Sequence, residues 1–267
     1  MIKKSVIFVL LIFVAGLMNY QNASGVDLEK IKSSGKIVVG TSADYPPYEF
    51  FLMNDKENEL VGLDIDIANV IAKELGVKVE IKNLIFHKLF SVLESGEVDI
   101  LIAGLNPTYA RTRIADFSDI YYKAIQNLVI RKVDKEKIAF LKDLRGKTVG
   151  TQKGSIQSEM APTQIPGAKF MYFDSIPDLV NNLKKGVVDA VLMEKPVAIS
   201  YVKRNTALIS VECLSSGTDD SPLGSAIAVK KGNKKLLKKI NDIIHKLKKE
   251  NKIEEFIENA KILLNKR

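Results

Sequence analysis

Two stretches of this chain repeat one another and restrict what it can fold into. LESGEVDILI, from Leu93, and LKKGVVDAVL, from Leu183, both read Leu-x-x-Gly-x-Val-Asp followed by an apolar run. GKIVVGTS, from Gly35, and GKTVGTQ, from Gly146, form a second pair, and the two pairs recur in the same order. A unit that occurs only twice, at so long a period, is no solenoid. The duplication predicts two similar α/β lobes with a cleft between them. Each lobe then holds a strand of the GK type and a helix–strand unit joined through Val-Asp.

The segment from Glu97 to Tyr122 carries the most information. Val98, Ile100, Leu101, Ile102 and Ala103 form a nearly continuous apolar run, as in a strand covered on both faces. It ends at Gly104, where a backbone can approach a ligand closely. Asn106, Pro107 and Thr108 then turn into a short helix that carries Arg111. In open α/β sheets small molecules bind outside the carboxyl ends of strands. Arg111 stands near such an end, and its planar fork matches a carboxylate. The other reading is a surface pair with Asp116 or Glu97.

The remaining elements follow from periodicity. Lys36–Thr41 reads as a first buried strand running into SADYPPYEF, where Pro46 and Pro47 stiffen the loop beside Tyr45 and Tyr48. Those rings either line the cleft or fill the core. A helix is expected over 64–75, with Ile67, Val70, Ile71 and Leu75 on one face and Gly76 just past its end. Asp64 and Asp66 fall in its first turn and read as helix-start residues favoured by the dipole, not as a metal site. A strand over 77–81 and a helix over 86–95 precede the central strand. In the second half, strands are expected over 147–151, 169–173 and 189–192, with Gly154 and Ser155 opening a helix whose free N–H groups favour an anion. Ser175 and Asp178 form a capping-box-like helix start. Glu194 falls where Gly104 falls in the first half. A carboxylate there could receive an ammonium group; the alternative is a surface pair with Lys195 or Lys203. Asp44, Gln152 and Asp219 are further polar candidates that the sequence does not place.

Charge and cysteine usage exclude several classes. The chain of 267 residues has 46% hydrophobic residues, a formal charge of +8 and a pI of about 9.3. Much of the basic excess lies in ten lysines between Lys230 and Lys252, interleaved with Leu236, Leu237, Ile240, Ile243, Ile244 and Leu247. That is an amphipathic helix with a solvated basic face, followed by a second helix. It lacks the arginines and aromatics of a nucleic-acid surface, so no nucleic-acid partner is expected. Cys213 is the only cysteine, so no internal disulfide and no cysteine-based metal cluster can form. No cofactor is called for, and neither a P-loop nor a Ser/His/Asp set is present. At the N-terminus, Lys3 and Lys4 precede an apolar run from Val6 to Met18 and the small residues Ala23, Ser24 and Gly25. This reads as a signal peptide over 1–24, cleaved between Ala23 and Val26, with no lipid-anchor cysteine nearby. Loss of both lysines takes the charge from +8 to +6.

Taken together, GTSADYPPYEF from Gly40, VGLDIDIA from Val61, the Leu93–Tyr122 run, LRGKTVGTQKGSIQ from Leu144, KGVVDAVLMEKPVA from Lys185 and SAIAVKKGN from Ser225 resemble the extracytoplasmic solute-binding proteins of the polar amino acid ABC-transporter family. The resemblance covers essentially the whole chain after the signal. It implies a two-lobed periplasmic-binding-protein-like fold (type II), two α/β lobes joined by two hinge strands. Residues 27–121 and 222–267 would form lobe 1, and 122–221 lobe 2. It implies a monomeric periplasmic receptor that binds a polar L-amino acid and delivers it to the membrane permease of an ABC importer. Tyr45 and Phe86 resemble aromatic walls around the ligand side chain, and Arg111 the grip on its α-carboxylate. Gly104 and Asn106 resemble further carboxylate contacts, and Ser155, Ile156 and Gln157 a second-lobe anion loop. Ile156 stands where many relatives have Thr, which leaves a backbone N–H. Glu194 takes the place of an Asp that receives the α-ammonium. Ser42 stands where several binders of basic amino acids and of glutamine have an acidic residue, which weakens a cationic side chain as ligand. Two other functions fit the same scaffold: a periplasmic enzyme similar to cyclohexadienyl dehydratase, with Glu194 as acid or base, or an amino-acid-sensing module that docks a receptor.

Overall fold

The computed structural model describes residues 26–53, 58–212 and 224–265. The signal peptide, its cleavage site, Cys213 and Asp219 lie outside the described residues. In chain order the strands are β1 Lys36–Thr41, β2 Asp44–Tyr45, β3 Glu49–Met53, β4 Asn58–Val61, β5 Lys78–Asn83, β6 Ile100–Leu101, β7 Ala115–Phe117, β8 Gln126–Arg131, β9 Thr148–Gln152, β10 Lys169–Phe173, β11 Ala190–Glu194, β12 Leu208–Glu212 and β13 Ala228–Lys230. They form two five-stranded sheets, β5-β1-β6-β13-β7 and β10-β9-β11-β8-β12, and a small β2-β3-β4 sheet. In each large sheet the GK strand, β1 or β9, has parallel partners on both sides, and the other two strands join antiparallel.

The repeated motif has a physical reason. Asp99 Oδ2 accepts the Val38 N–H at 2.8 Å, and Asp189 Oδ2 accepts the Thr148 N–H at 2.9 Å. Each aspartate thus ties the incoming helix–strand unit to the start of its GK strand. The motif leucines and valines, Leu93, Val98, Leu183 and Val188, are buried beneath it. Gly40 and Gly150 are the equivalent strand glycines. A Cβ at either would collide with a packed leucine, Leu101 at 2.7 Å or Leu179 at 2.5 Å.

Helix Leu63–Leu75 buries Leu63, Ile67 and Ile71, and Gly76 ends it in the left-handed conformation. Helix Lys234–Lys249 buries Leu236, Ile240, Ile243, Ile244 and Leu247 and turns its lysines outward. Several of those lysines have carboxylate partners: Lys234 pairs with Asp116, Lys238 with Asp242 and Lys246 with Glu74. Helices Val26–Ser34 and Lys252–Asn265 flank this lobe; the first was not anticipated from the sequence. The central strand is shorter than its apolar run. Its ladder is regular over Ile100–Leu101 and prolonged by N–H bonds from Asp99 to Val38 and from Ile102 to Gly40. Tyr122 and Ser225 form an isolated antiparallel bridge. That bridge lies where the first expected hinge strand would fall, and residues 213–223 lie outside those described.

One expectation for this region is corrected. Asp64 does lie in the first turn of its helix, as expected, but its side chain does not cap it. It is fully buried, and its carboxylate accepts the Gly104 N–H and the Tyr121 hydroxyl, each at 2.8 Å. The N-cap is Gly62, which has no side chain to contribute. Asp64 therefore ties the helix to the end of the central strand.

Candidate functional site

Site residues from both lobes gather at the carboxyl ends of β1, β6, β9 and β11. From the first lobe, Thr108 caps the short helix Tyr109–Thr112 and so orients Arg111. The Arg111 guanidinium is buried. It donates to the Asn106 carbonyl at 2.9 Å and, across the cleft, to the Gly154 carbonyl at 2.8 Å. It lies 5.6 Å from the centre of the Phe86 ring and 5.4 Å from that of Phe90, within cation–π range. Burial lowers its pKa to about 10, so it remains a cation at neutral pH. The surface-pair alternative is overturned. Asp116 pairs instead with Lys231 and Lys234, each at 2.9 Å, and Glu97 is exposed.

Glu194 ends β11 on the opposite lobe. It is buried, and its Oε2 accepts the Tyr48 hydroxyl at 2.5 Å across the cleft. Burial pushes its pKa up to about 7, with repulsion from Asp64 adding to the rise and Tyr48 and Asn106 offsetting part of it. Lys195 pairs with Glu212 and Lys203 with Asn265, which removes the alternative of a surface ion pair. Among the described residues neither Arg111 nor Glu194 has a partner of opposite charge.

The loop after β9 completes the second wall. Ser155 is an N-cap: its hydroxyl donates to the Gln152 carbonyl at 2.7 Å and accepts the Ser158 N–H. Gln157 donates to the Gln126 side chain at 2.9 Å. The Ser155 side chain is therefore spent on the loop and that of Gln157 on Gln126 in β8, and what Ile156 and Gln157 present is backbone N–H at a helix start. Gly104 likewise gives its N–H to Asp64, which leaves its carbonyl as the group on offer. Tyr45 stacks on Tyr48 with ring centres 5.5 Å apart, close against Gly104, while Phe86 packs on Arg111. Ser42 is buried at the end of β1.

Sequence reasoning placed Tyr48 beside the strand end without assigning its contact to Glu194, and passed over Glu49, Phe90 and Tyr121. Glu49 is fully buried beside Asp64, and burial together with that carboxylate raises its pKa far above the usual range. A glutamate between Tyr48 and Phe50 in an aromatic strand was the signal that could have found it. Among the described residues no His/Cys/Asp/Glu group could hold a metal ion, and no helix is long and apolar enough to cross a membrane.

Comparison with known proteins agrees with this arrangement. Residues 37–259 match the model of the bacterial extracellular solute-binding proteins, family 3. The chain is 38% identical over 225 residues to the arginine-binding extracellular protein ArtP of Bacillus subtilis, covering 80% of this chain and 85% of that protein. It is 29% identical to the L-cystine-binding protein TcyJ of Escherichia coli, covering 89% and 86%. A crystal structure of the ABC-transporter substrate-binding protein AbpA of Streptococcus pneumoniae, bound to L-arginine, superposes with a TM-score of 0.84 at 36% identity, covering 88% of this chain and 98% of that one. A match over most of the chain, on two duplicated lobes with their polar groups facing one cleft, establishes that this chain belongs to the bacterial extracellular solute-binding proteins of family 3.

Proposed function

We propose that the protein captures an L-amino acid between its lobes, outside the cytoplasmic membrane, and delivers it to the permease of an ABC importer. One observation carries this reading. Arg111 and Glu194 are buried on opposite lobes, opposite in charge, and neither is neutralised by a charged neighbour among the described residues. An amino acid supplies both missing partners, a carboxylate for Arg111 and an ammonium for Glu194. Asn106 and the N–H groups of Ile156 and Gln157 would complete the carboxylate site, and the Gly104 carbonyl would join Glu194 at the ammonium. Tyr45 and Phe86 would flank the side chain. Closure then depends on ligand, because only the closed state makes both grips.

The lobes in this reading are 27–121 with 222–267, and 122–221. The protein acts as a monomer in the periplasm after loss of residues 1–24. The relatives described above are binding proteins, not enzymes, which favours capture over catalysis. The test is a thermal-shift screen of protein unfolded and refolded to strip any carried ligand, against the twenty amino acids. A ligand at 100 times its Kd adds about 2.7 kcal/mol, a shift of about 5–10 °C for a chain of this size. No shift with any amino acid, in protein shown to be folded, refutes the reading.

A further inference from the structure

Glu194 stands at the N-cap position of helix Lys195–Lys203, yet its side chain makes no bond to that helix. A carboxylate there has free N–H groups close at hand. This one turns instead to the opposite lobe, where its Oε2 accepts the Tyr48 hydroxyl at 2.5 Å. Tyr48 is braced to keep its hydroxyl in that place. The ring is fully buried, stacks on Tyr45 with centres 5.5 Å apart, and lies nearly perpendicular to Tyr122 at 5.8 Å. Its N–H donates to the Tyr45 carbonyl and its carbonyl accepts the Asp64 N–H, each at 2.9 Å.

The other groups around Glu194 make this donor matter. Asp64 from helix Leu63–Leu75 and Glu49 from β3 are acidic, and Tyr45, Tyr121 and Tyr122 are phenols whose pKa values are raised. Lys195, next in the chain, pairs with Glu212. No lysine or arginine pairs with Glu194 among the described residues. Burial and repulsion from Asp64 disfavour the charged carboxylate; the Tyr48 hydroxyl, and after it the Asn106 amide, favour it. Burial and the Glu194 charge in turn hold the Tyr48 pKa well above its ordinary value, so at neutral pH the hydroxyl keeps its proton and remains a donor.

We infer that Tyr48 is a positioning residue for capture: before ligand arrives its hydroxyl holds one oxygen of Glu194, leaving the other for the ammonium group of an incoming amino acid. This rests on the amino-acid-binding reading above and adds to it what keeps Glu194 charged. Without that donor the carboxyl holds its proton to higher pH, and the ammonium group meets a neutral acid. The competing role for Tyr48 is a tie between the lobes that forms only on closure. Such a tie would add the same affinity at every pH where Glu194 is bound as the carboxylate.

Tyr48→Phe keeps the ring and removes only the donor, and two measurements read its effect. The first needs no ligand: a carbon NMR titration of refolded protein labelled at its glutamate carboxyls, with the Glu194 signal assigned by Glu194→Gln. The expected midpoint is about 7 in the parent. In Tyr48→Phe it should rise by about one pH unit or more, since a hydrogen bond to a charged group is worth about tenfold or more. An unchanged midpoint overturns the inference. The second is calorimetry with the amino acid that gives the largest thermal shift among the twenty screened above. Affinity in Tyr48→Phe should fall about tenfold at pH 6 but less than about threefold at pH 8.5, where Glu194 is largely ionised in both proteins. Equal loss at both pH values overturns the inference in favour of the tie, and no loss at either overturns it outright. Failure of every amino acid to bind the parent refutes the amino-acid reading instead, and the ligand-free titration keeps the two failures apart.

Discussion

Arg111 spends two of its donors on the carbonyls of Asn106 and Gly154 and leaves the rest of its fork free for a ligand. The bond to Gly154 crosses the cleft, so the same side chain that would hold a carboxylate also helps hold the lobes together. Arg111→Ala removes both and leaves an anionic ligand group buried without its cation. Such truncations cost roughly 2–5 kcal/mol, so amino-acid affinity should drop by about 30-fold or more. Calorimetry on the folded variant checks this; near-unchanged affinity would remove Arg111 from the site. Two alternatives weighed for single residues, surface pairs for Arg111 and for Glu194, fail for one reason. Nearby lysines satisfy Asp116, and Glu212 satisfies Lys195, so neither site residue is needed at the surface.

At the scale of elements, the entry to helix Leu63–Leu75 shows how tightly the site is braced from behind. Gly62 has φ 132, and a Cβ there would lie 2.1 Å from the Tyr48 carbonyl oxygen. That carbonyl accepts the Asp64 N–H, and the Tyr48 hydroxyl donates to Glu194. Gly62→Ala must therefore either distort the helix start or push Tyr48 from Glu194. Backbone strain combined with so close a clash should cost more than about 3 kcal/mol, measured as a fall in urea midpoint. An alanine variant as stable as the parent would mean that the loop before the helix can move. The duplicated units are braced in a simpler way, through Asp99 and Asp189, and that simplicity makes them visible as a motif.

Over the whole molecule, several carboxyl groups in and behind the cleft and in the first turn of helix Leu63–Leu75 are buried, which disfavours their charged form. Asp44, Asp64 and Asp66 are raised to about 6 and Glu194 to about 7. Their folded pKa values exceed the unfolded ones near 4. Each therefore contributes stability that is fully present below about pH 4 and is lost as pH rises through 6 to 7. Asp116, held down to about 2 by Lys234, Lys231 and the Gly232 N–H, works in the opposite sense, but in the separate window between pH 4 and 2. The ligand-free protein should then melt at a higher temperature at pH 5 than at pH 8. Saturating amino acid should reduce the difference, because its ammonium offsets the charge of Glu194. A melting temperature that rises from pH 5 to pH 8 without ligand would contradict the buried-carboxyl account.

Much of this was legible in the chain itself. The paired motifs, the periodicity of helices Leu63–Leu75 and Lys234–Lys249, and the glycine that ends the first of these specify two α/β lobes, because strand and helix patterns depend on neighbours close in sequence. Arg111 and Glu194 were visible because each follows the carboxyl end of a recognisable strand. The roles of Asp64, Glu49, Tyr48 and Asp44 were not. Asp64 reads as an ordinary first-turn acid until Gly104 and Tyr121 are brought to it, and Asp44 as a loop residue until Ile176 arrives from the other lobe. What local sequence determined is which segments become strands and helices. Only tertiary structure decided which carboxyl groups lose water and which find partners, because burial and pairing are set by residues far away in the chain.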